Sequence, residues 1–337
     1  MLKIDCHAHI LPHSWPDLKK KYGYGGFVTM QHQPDGTANM MHDDGRFFRK
    51  VQENCWNPER IIEDMDAHNV QAMLLCTVPV LFNYWAKPLD AWDWSKLLNN
   101  HIASVQANYP KRFLGLGTLP MQDVAMAIKE LERLKYLGIK GVQIGSHIQH
   151  RNLDDTYFHD LWEAAEELDM SIFVHPWDMM GQEKMPNYFM PWLVGMPAET
   201  SLAICSMIFG GVFDKFPKLR VLFAHGGGSF PFTVGRISHG WQCRQDLCNV
   251  NNIQDPRKYI GKFWVDGITH DTPALHYLIQ TMGVDKIAYG TDYPFPLGDL
   301  EHGKFIETDA TLSEETKEQL FSKSTLSWLN INEDYFK

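Results

Sequence analysis

Eight short apolar runs recur along the 337-residue chain, and most are separated by segments with helical periodicity. The runs are rich in Val, Ile, Leu and Phe, which is typical of strands buried on both faces of a parallel sheet. Alternating strands and helices predict an α/β fold, and eight such units predict a closed (β/α)8 TIM barrel. The predicted strands cover residues 2–6, 71–77, 113–118, 141–145, 171–175, 219–224, 262–266 and 286–290.

Helical spacing of apolar residues fills most of the intervals between these strands. A barrel of about 250 residues with insertions accounts for the whole length, so we expect a single domain over 1–337. The clearest predicted helices cover residues 58–69, 124–137, 157–168 and 198–213, and the tail after Asp292 is also expected to be helical.

The interval between the first two strands breaks the alternation, because the helix at 58–69 occupies only its end. Residues 11–52 are rich in Pro, Gly and aromatic side chains. We predict that they form a small insertion over the barrel mouth, with a hairpin turn at Gly45. Residues 177–197 are dense in Met, Trp, Phe and Pro and form a second candidate lid. Such loops usually shape the substrate pocket of a barrel enzyme.

Composition narrows the range of partners and compartments. The net charge of −10 and the pI near 5.9 argue against a nucleic-acid surface. The six cysteines are scattered without a Cys-X-X-Cys pair, which favours reduced thiols in a cytosolic protein. The N-terminus lacks the pattern of a cleaved signal peptide, and the longest apolar stretches are too short to span a bilayer. We therefore expect neither nucleic acid nor a membrane as a partner.

The first strand leads into a His-X-His pair in the segment Asp5-Cys6-His7-Ala8-His9. Residues i and i+2 of a strand point to the same face, so His7 and His9 should direct two imidazoles at one point. Neutral imidazole is a common ligand for zinc and neighbouring metals. The pair therefore predicts half of a metal site.

Single polar residues follow three later strands: His175, His225 and Asp292. Any one of them alone could be a capping or core residue. Their recurrence at the carboxyl ends of strands, which form the active-site face of a barrel, favours a shared site. Three nitrogen ligands (His7, His9 and His175) and the carboxylate of Asp292 suit a catalytic zinc ion with an open position. His225 could then act as the base that takes a proton from water, or later as an acid.

A second metal ion is not expected. Two-metal barrels of this kind usually bridge the ions with a modified lysine on the fourth strand. The fourth strand here reads Gly141-Val142-Gln143-Ile144-Gly145 and contains no lysine.

This set of ligands on strands one, five, six and eight resembles the amidohydrolase superfamily, over nearly the whole chain. Longer stretches resemble the branch of that superfamily that decarboxylates 2-amino-3-carboxymuconate-6-semialdehyde. These stretches are residues 47–49, 53–58, 175–179, 191–200, 225–232 and 290–298.

The resemblance implies a zinc-dependent carboxy-lyase of the kynurenine pathway of tryptophan degradation, with one zinc ion per subunit. It would divert the semialdehyde from quinolinate and NAD synthesis. The resemblance also implies that Arg49 and Trp192 bind the dicarboxylate substrate and that Arg236 is supplied by the neighbouring subunit of a homodimer. From the sequence alone, Arg49 would be a surface charge, Arg236 half of an ordinary ion pair, and Trp192 a core residue.

Three alternatives remain open at this stage. The same ligands would serve a metal-dependent hydrolase that opens a lactone or amide, because an activated water also attacks carbonyls. They would equally serve a decarboxylase of aromatic acids from the same superfamily. A non-catalytic scaffold would be favoured by loss of a ligand, and none is missing.

Overall fold

A computed structural model describes residues 1–252 and 254–336. Its strands are β1 (Ile4–His9), β2 (Val28–His32), β3 (Ala38–His42), β4 (Phe47–Val51), β5 (Ala72–Cys76), β6 (Phe113–Thr118), β7 (Gly141–Gly145), β8 (His147–Ile148), β9 (Arg151–Asn152), β10 (Ser171–His175), β11 (Val221–Phe223), β12 (Trp264–Asp266) and β13 (Ile287–Ala288). Its α-helices are α1 (Leu18–Tyr22), α2 (Pro58–Ala67), α3 (Pro88–Asn108), α4 (Val124–Tyr136), α5 (His159–Glu167), α6 (Met196–Phe209), α7 (Val212–Lys215), α8 (Phe230–Cys243), α9 (Gln245–Cys248), α10 (Thr272–Met282), α11 (Lys304–Glu307), α12 (Glu314–Glu318) and α13 (Ser324–Leu329).

Eight parallel strands form the barrel in the order β1-β5-β6-β7-β10-β11-β12-β13. Each predicted strand has a counterpart in this sheet, so the prediction of a TIM barrel is confirmed. The first and last strands meet through backbone hydrogen bonds from Cys6 N to Tyr289 O (2.9 Å) and from Asp292 N to His7 O (2.8 Å). These bonds close the sheet on itself.

Among the predicted boundaries that differ from the structure, two have a clear physical reason. The first strand runs through His9 rather than ending at residue 6, with a register shift between Asp5 and Ala8 against β5. The helix predicted at 198–213 is split in two. Gly211 adopts a left-handed conformation (φ 69°), which ends α6 and starts the short helix α7. The C-terminal tail contains helices only from residue 304 onwards, because residues 293–303 form no helix, and residue 337 lies outside the described residues.

The C-terminal helix α13 blocks the amino ends of the barrel strands. Trp328 is fully buried, and its ring lies 6.3 Å from that of Phe173 in the barrel interior. Its backbone carbonyl accepts a hydrogen bond (2.7 Å) from the hydroxyl of Ser171, the first residue of β10. This end of the barrel is therefore filled, and a ligand must enter from the carboxyl ends of the strands.

The segment between β1 and β5 contains α1 and the antiparallel sheet β2-β3-β4. A turn with Gly45 at φ 91° joins β3 to β4. A small separate core, which includes Phe27 and Met40, packs this sheet against the barrel. The strand β4 thereby brings Arg49 towards the carboxyl ends of the barrel strands.

Contrary to the expectation from the sequence, one helical stretch among the described residues, Pro191–Phe209, is long and apolar enough to cross a membrane by length and composition. Half of its most apolar window is buried within the protein. Its residues Ala203, Ile204 and Met207 belong to the main core. Packing against the barrel accounts for the buried half of this apolar stretch.

Candidate metal centre

Four side chains converge at the carboxyl ends of the barrel strands. His7, His175, His225 and Asp292 present ligand atoms that all lie within 4.8 Å of one another. His9 joins them, because its Nε2 lies 3.2 Å from His7 Nε2 and 2.9 Å from Asp292 Oδ1. All five residues that the sequence singled out for metal or proton chemistry thus share one site.

In three of the histidine rings, the Nδ1 atom lies within hydrogen-bonding distance of an oxygen acceptor. His7 Nδ1 lies 2.8 Å from a carboxylate oxygen of Asp266, and the Nδ1 atoms of His9 and His175 face the carbonyls of Thr77 (3.0 Å) and Pro176 (2.9 Å). Protons at these Nδ1 atoms leave the Nε2 lone pairs free to point inward, as metal-binding histidines require. His175 Nε2 is buried without a hydrogen-bond partner among the described residues. The residues present therefore fit a metal ion.

The local electrostatics favour a positive charge at the same point. Burial opposes a charge on His7, yet the carboxylates of Asp292 and Asp266 raise its pKa to about 10. The pKa of Asp292 lies well below its ordinary value, because the surrounding imidazoles outweigh burial. Burial and the neighbouring rings hold the pKa of His175 well below the ordinary range, which keeps this ring neutral. A site that binds a proton this strongly also attracts a metal cation.

Asp266, at the end of β12, is a functional residue that sequence reasoning missed. It is fully buried, and its two oxygens accept hydrogen bonds from His7 Nδ1 and from the backbone N–H groups of His225, Gly226 and Ile268. A signal was present, because residues 262–266 were predicted as a strand that ends in a carboxylate. Asp266 fixes both the His7 ring and the loop that carries His225.

The buried carboxylate of Asp5 holds the backbone next to two of the candidate ligands. Its carboxylate accepts hydrogen bonds from the N–H groups of His7 (3.0 Å) and Thr291 (3.1 Å) and from the Thr291 hydroxyl (2.5 Å). Burial nevertheless raises the pKa of Asp5 to about 7. Gly290 allows the segment after β13 to lie close against β1, since a Cβ atom at this position would lie 2.9 Å from His7 Cβ.

A cavity of about 250 Å³ opens beside this centre. Its walls include His9, His175 and Asp292 of the metal centre, together with Arg49 and Trp192. The lid at residues 177–197 contributes part of this wall, and β4 contributes another. The cavity is the natural position for a small substrate in contact with the metal centre.

Arg49 extends its guanidinium over this cavity. Its Cζ lies 4.5 Å from the centroid of the Phe295 ring and 5.9 Å from that of Trp192. Among the described residues, no carboxylate lies within ion-pair distance of Arg49. Burial lowers its pKa, although the charge of Asp292 opposes this shift. A partly buried, unpaired guanidinium is suited to an anionic ligand.

The remaining predicted residues have different surroundings. Trp192 stacks on Phe189 with ring centroids 4.5 Å apart. Arg236 is exposed on α8 and does not line the cavity, so the single chain leaves it outside the site. His225 lies within the ligand group, with its Nε2 3.6 Å from Asp292 Oδ2, and this geometry suits either a ligand or a proton-transfer group.

Comparison with known proteins identifies the family. The profile of the amidohydrolase family matches residues 4–325. The chain is 54% identical over 332 residues to 2-amino-3-carboxymuconate-6-semialdehyde decarboxylase of Dictyostelium discoideum, with 98% of this chain and 92% of the relative covered. It is 40% identical to the protein of the same name from Caenorhabditis elegans, with 98% and 95% covered.

Solved structures show the same fold. The 5-carboxyvanillate decarboxylase of Sphingomonas paucimobilis superposes with a TM-score of 0.82 at 22% identity, with 98% of this chain and 99% of that chain covered. A dihydroxybenzoic acid decarboxylase from Polaromonas, solved with bound manganese, gives a TM-score of 0.79 at 22% identity, with 98% and 97% covered. The chain therefore belongs to the amidohydrolase family, alongside the relatives named 2-amino-3-carboxymuconate-6-semialdehyde decarboxylase.

Proposed function

We propose that this chain is a metal-dependent decarboxylase that converts 2-amino-3-carboxymuconate-6-semialdehyde to 2-aminomuconate semialdehyde and CO2. The observation that carries the proposal is the 54% identity over 98% of the chain to a relative with that name. In this role the protein acts in the kynurenine pathway in the cytosol, and it diverts the semialdehyde from quinolinate and NAD synthesis.

One zinc ion per subunit would be held by His7, His9, His175 and Asp292. The inward Nε2 lone pairs support this ligand set, as does the buried Nε2 of His175, which has no hydrogen-bond partner among the described residues. When bound, the ion supplies an activated water molecule and a Lewis acid. Imidazole and carboxylate also suit manganese and its neighbours, so metal analysis of the purified protein must accompany every assay.

Arg49 would bind a carboxylate of the substrate. Its guanidinium lies over the cavity without a carboxylate partner among the described residues, and the ring of Phe295 supports it from one side. The planar fork of arginine matches a carboxylate in two hydrogen bonds. Trp192 would form a wall along the conjugated chain of the substrate, because it lines the same cavity.

His225 would move the proton. Its Nε2 faces Asp292 at 3.6 Å, and its backbone N–H donates to Asp266. In this mechanism the ring takes a proton from a water molecule whose hydroxide adds to the double-bond carbon next to the one that bears the departing carboxylate. The ring then gives this proton to the carboxylate-bearing carbon, which becomes tetrahedral. The C–C bond to the carboxylate breaks, CO2 leaves, and the electron pair re-forms the double bond as hydroxide departs from the neighbouring carbon.

The direct test follows the ultraviolet absorbance of enzymatically generated semialdehyde, with products identified on protein of known metal content. We expect CO2 release, less quinolinate, and loss of activity with a chelator. Unchanged decay with fully metallated, folded protein would refute the proposal. A panel of aromatic acids and lactones run in parallel separates the decarboxylase and hydrolase alternatives.

The variant His225→Ala tests the assignment of the base. We expect it to retain bound metal and to lose most turnover, because it removes a proton-transfer group and leaves the other four residues in place. Full activity in a metal-loaded variant would contradict the role. Loss of the metal would instead assign His225 to the ligands.

Arg236 would reach the active site of the neighbouring subunit of a homodimer. Its exposure on α8 supports this, because a side chain in that position is available to a second copy. Mixing inactive Arg49→Ala and Arg236→Ala subunits should restore activity, since one site of the heterodimer receives both arginines. The exposed Arg244 provides the control: Arg244→Ala should remain active alone. Demonstrated subunit exchange without recovery would contradict sharing.

A further inference from the structure

A buried polar cluster lies outside the metal centre and the substrate cavity. Glu199, in the first turn of α6, is only 3% exposed. One of its carboxylate oxygens accepts a hydrogen bond from the N–H of Met180 (2.6 Å), and the other lies 3.2 Å from His147 Nδ1 and 3.4 Å from Ser146 Oγ. A carboxylate is rarely buried this deeply without a structural or functional reason.

The contacts of Glu199 connect three parts of the active-site rim. Met180 belongs to the lid at residues 177–197, and His147 is the first residue of β8, separated from β7 only by Ser146. The lid carries Trp192, and Met196 lies three residues before Glu199 on the same helix. Both Trp192 and Met196 line the substrate cavity. The position of Glu199 therefore affects where Trp192 and Met196 lie in the cavity wall, although Glu199 itself does not line the cavity.

The packing around the lid leaves little freedom for alternative positions. A Cβ atom on Gly195 would lie 2.8 Å from Met179 Cβ, so the end of the lid passes directly over the start of the same segment. A Cβ atom on Gly228 would lie 2.3 Å from the carbonyl oxygen of Pro197. The first turn of α6 therefore also contacts the loop that follows His225.

The charges within the cluster are complementary. The hydrogen bond with Glu199 raises the pKa of His147, against the opposing effect of burial, and Asp178 adds to this shift. Burial raises the pKa of Asp178 as well; Glu199 adds to that shift and His147 opposes it. The carboxylates of Glu199 on α6 and Asp178 on the lid thus both favour a positive charge on His147.

We infer that Glu199 is a positioning residue for the proposed decarboxylation. Through the N–H of Met180 and the imidazole of His147, it holds the lid against α6 so that Trp192 and Met196 close the substrate cavity. This inference rests on the proposed function for its kinetic consequence. The structural contact itself can be measured without substrate.

The variant Glu199→Gln tests this positioning role with minimal change in side-chain volume. The amide retains an acceptor for the Met180 N–H and loses the charge that pairs with His147. We expect KM for the semialdehyde to rise about tenfold, as for loss of a hydrogen bond to a charged group. We expect kcat to change less than twofold, and the metal content to stay unchanged.

Limited trypsin digestion supplies the readout that needs no substrate. Lys184 is an exposed lysine within the lid, and cleavage after it should accelerate in Glu199→Gln in proportion to the rise in KM. The double variant Glu199→Gln/His147→Gln should be no more impaired than Glu199→Gln alone, because both changes remove the same ion pair.

Glu130→Gln is the matched control. Glu130 is also fully buried and paired, but it lies on α4 and does not line the cavity. We expect this control to lose thermal stability with KM and the cleavage at Lys184 unchanged. Unchanged KM and unchanged cleavage in Glu199→Gln would overturn the inference. If the wild-type protein does not consume the semialdehyde, the proposed function fails. The rate of cleavage at Lys184 still decides whether Glu199 holds the lid against α6.

Discussion

Replacing Asp266 by Asn should show how far the metal centre depends on a residue that holds the ligands in place without being a ligand itself. Both oxygens of Asp266 are occupied: one faces His7 Nδ1 and the N–H of His225, and the other faces the N–H groups of Gly226 and Ile268. An asparagine must turn its NH2 group towards one of these two pairs. Whichever orientation it adopts, two donors lose their acceptor.

The expected cost follows from these two donors. A buried donor without a partner costs about 1–3 kcal/mol, so turning the NH2 group towards the N–H groups of Gly226 and Ile268 should cost about 2–6 kcal/mol of stability. If the NH2 group faces His7, the imidazole must accept at Nδ1 and carry its proton on Nε2. That proton then points at the metal position. Changes of this kind lower metal affinity or activity by about 10–100-fold.

The assay combines metal titration against a competing chelator with thermal unfolding of the metal-free and metal-loaded protein. We expect Asp266→Asn to bind metal at least tenfold more weakly and to gain less stability from it. Glu130→Gln, which alters an equally buried carboxylate elsewhere, should be destabilised with normal metal affinity. Wild-type metal affinity in Asp266→Asn would refute the argument that Asp266 sets the His7 tautomer.

Three further predictions concern the substrate, the metal and the pH dependence of folding. Arg49→Lys should raise KM for the semialdehyde at least tenfold in steady-state assays, because an ammonium group cannot form the paired hydrogen bonds of a guanidinium. Removing the metal with a chelator should lower the Tm, and added metal at about 100 times its Kd should restore about 2.7 kcal/mol of stability in calorimetry. Burial, with His68 and Lys3 nearby, lowers the pKa of His302 from 6.5 to about 4. As the pH falls from 6.5 towards 4, His302 takes up a proton in the unfolded chain but not in the folded chain. About 3 kcal/mol of stability should therefore be lost by pH 4. His302→Gln should show a correspondingly shallower decline in urea unfolding between pH 7 and 4.

The barrel and the clustering of its polar residues could be predicted because both follow from local pattern. Buried parallel strands are continuous apolar runs, and the residue after each run lies at a common edge. The same reasoning could have included Asp266, which ends a predicted strand. The sequence alone does not single out Asp266, because a carboxylate that contacts only other protein groups resembles a capping residue until its partners are known.

Long-range contacts explain what the sequence did not reveal. Glu199 lies in an apolar helix, and its partners Met180 and His147 come from two other segments. Arg49 looked like a surface charge among the acidic residues of its hairpin, yet β4 carries it over the cavity. The left-handed turn at Gly211 depends on where the chain must reverse, which helical periodicity alone does not indicate.

The seam between the first and last barrel strands has a consequence for the order in which the protein can be assembled. His9 and Asp292 are separated by 283 positions in the chain, yet their ligand atoms lie 2.9 Å apart. A growing polypeptide on the ribosome therefore carries His7 and His9 long before Asp292, and it cannot complete the site until residue 292 has emerged. Metal capture at full affinity would then report that the barrel has closed, and a nascent chain released before residue 292 would remain without it.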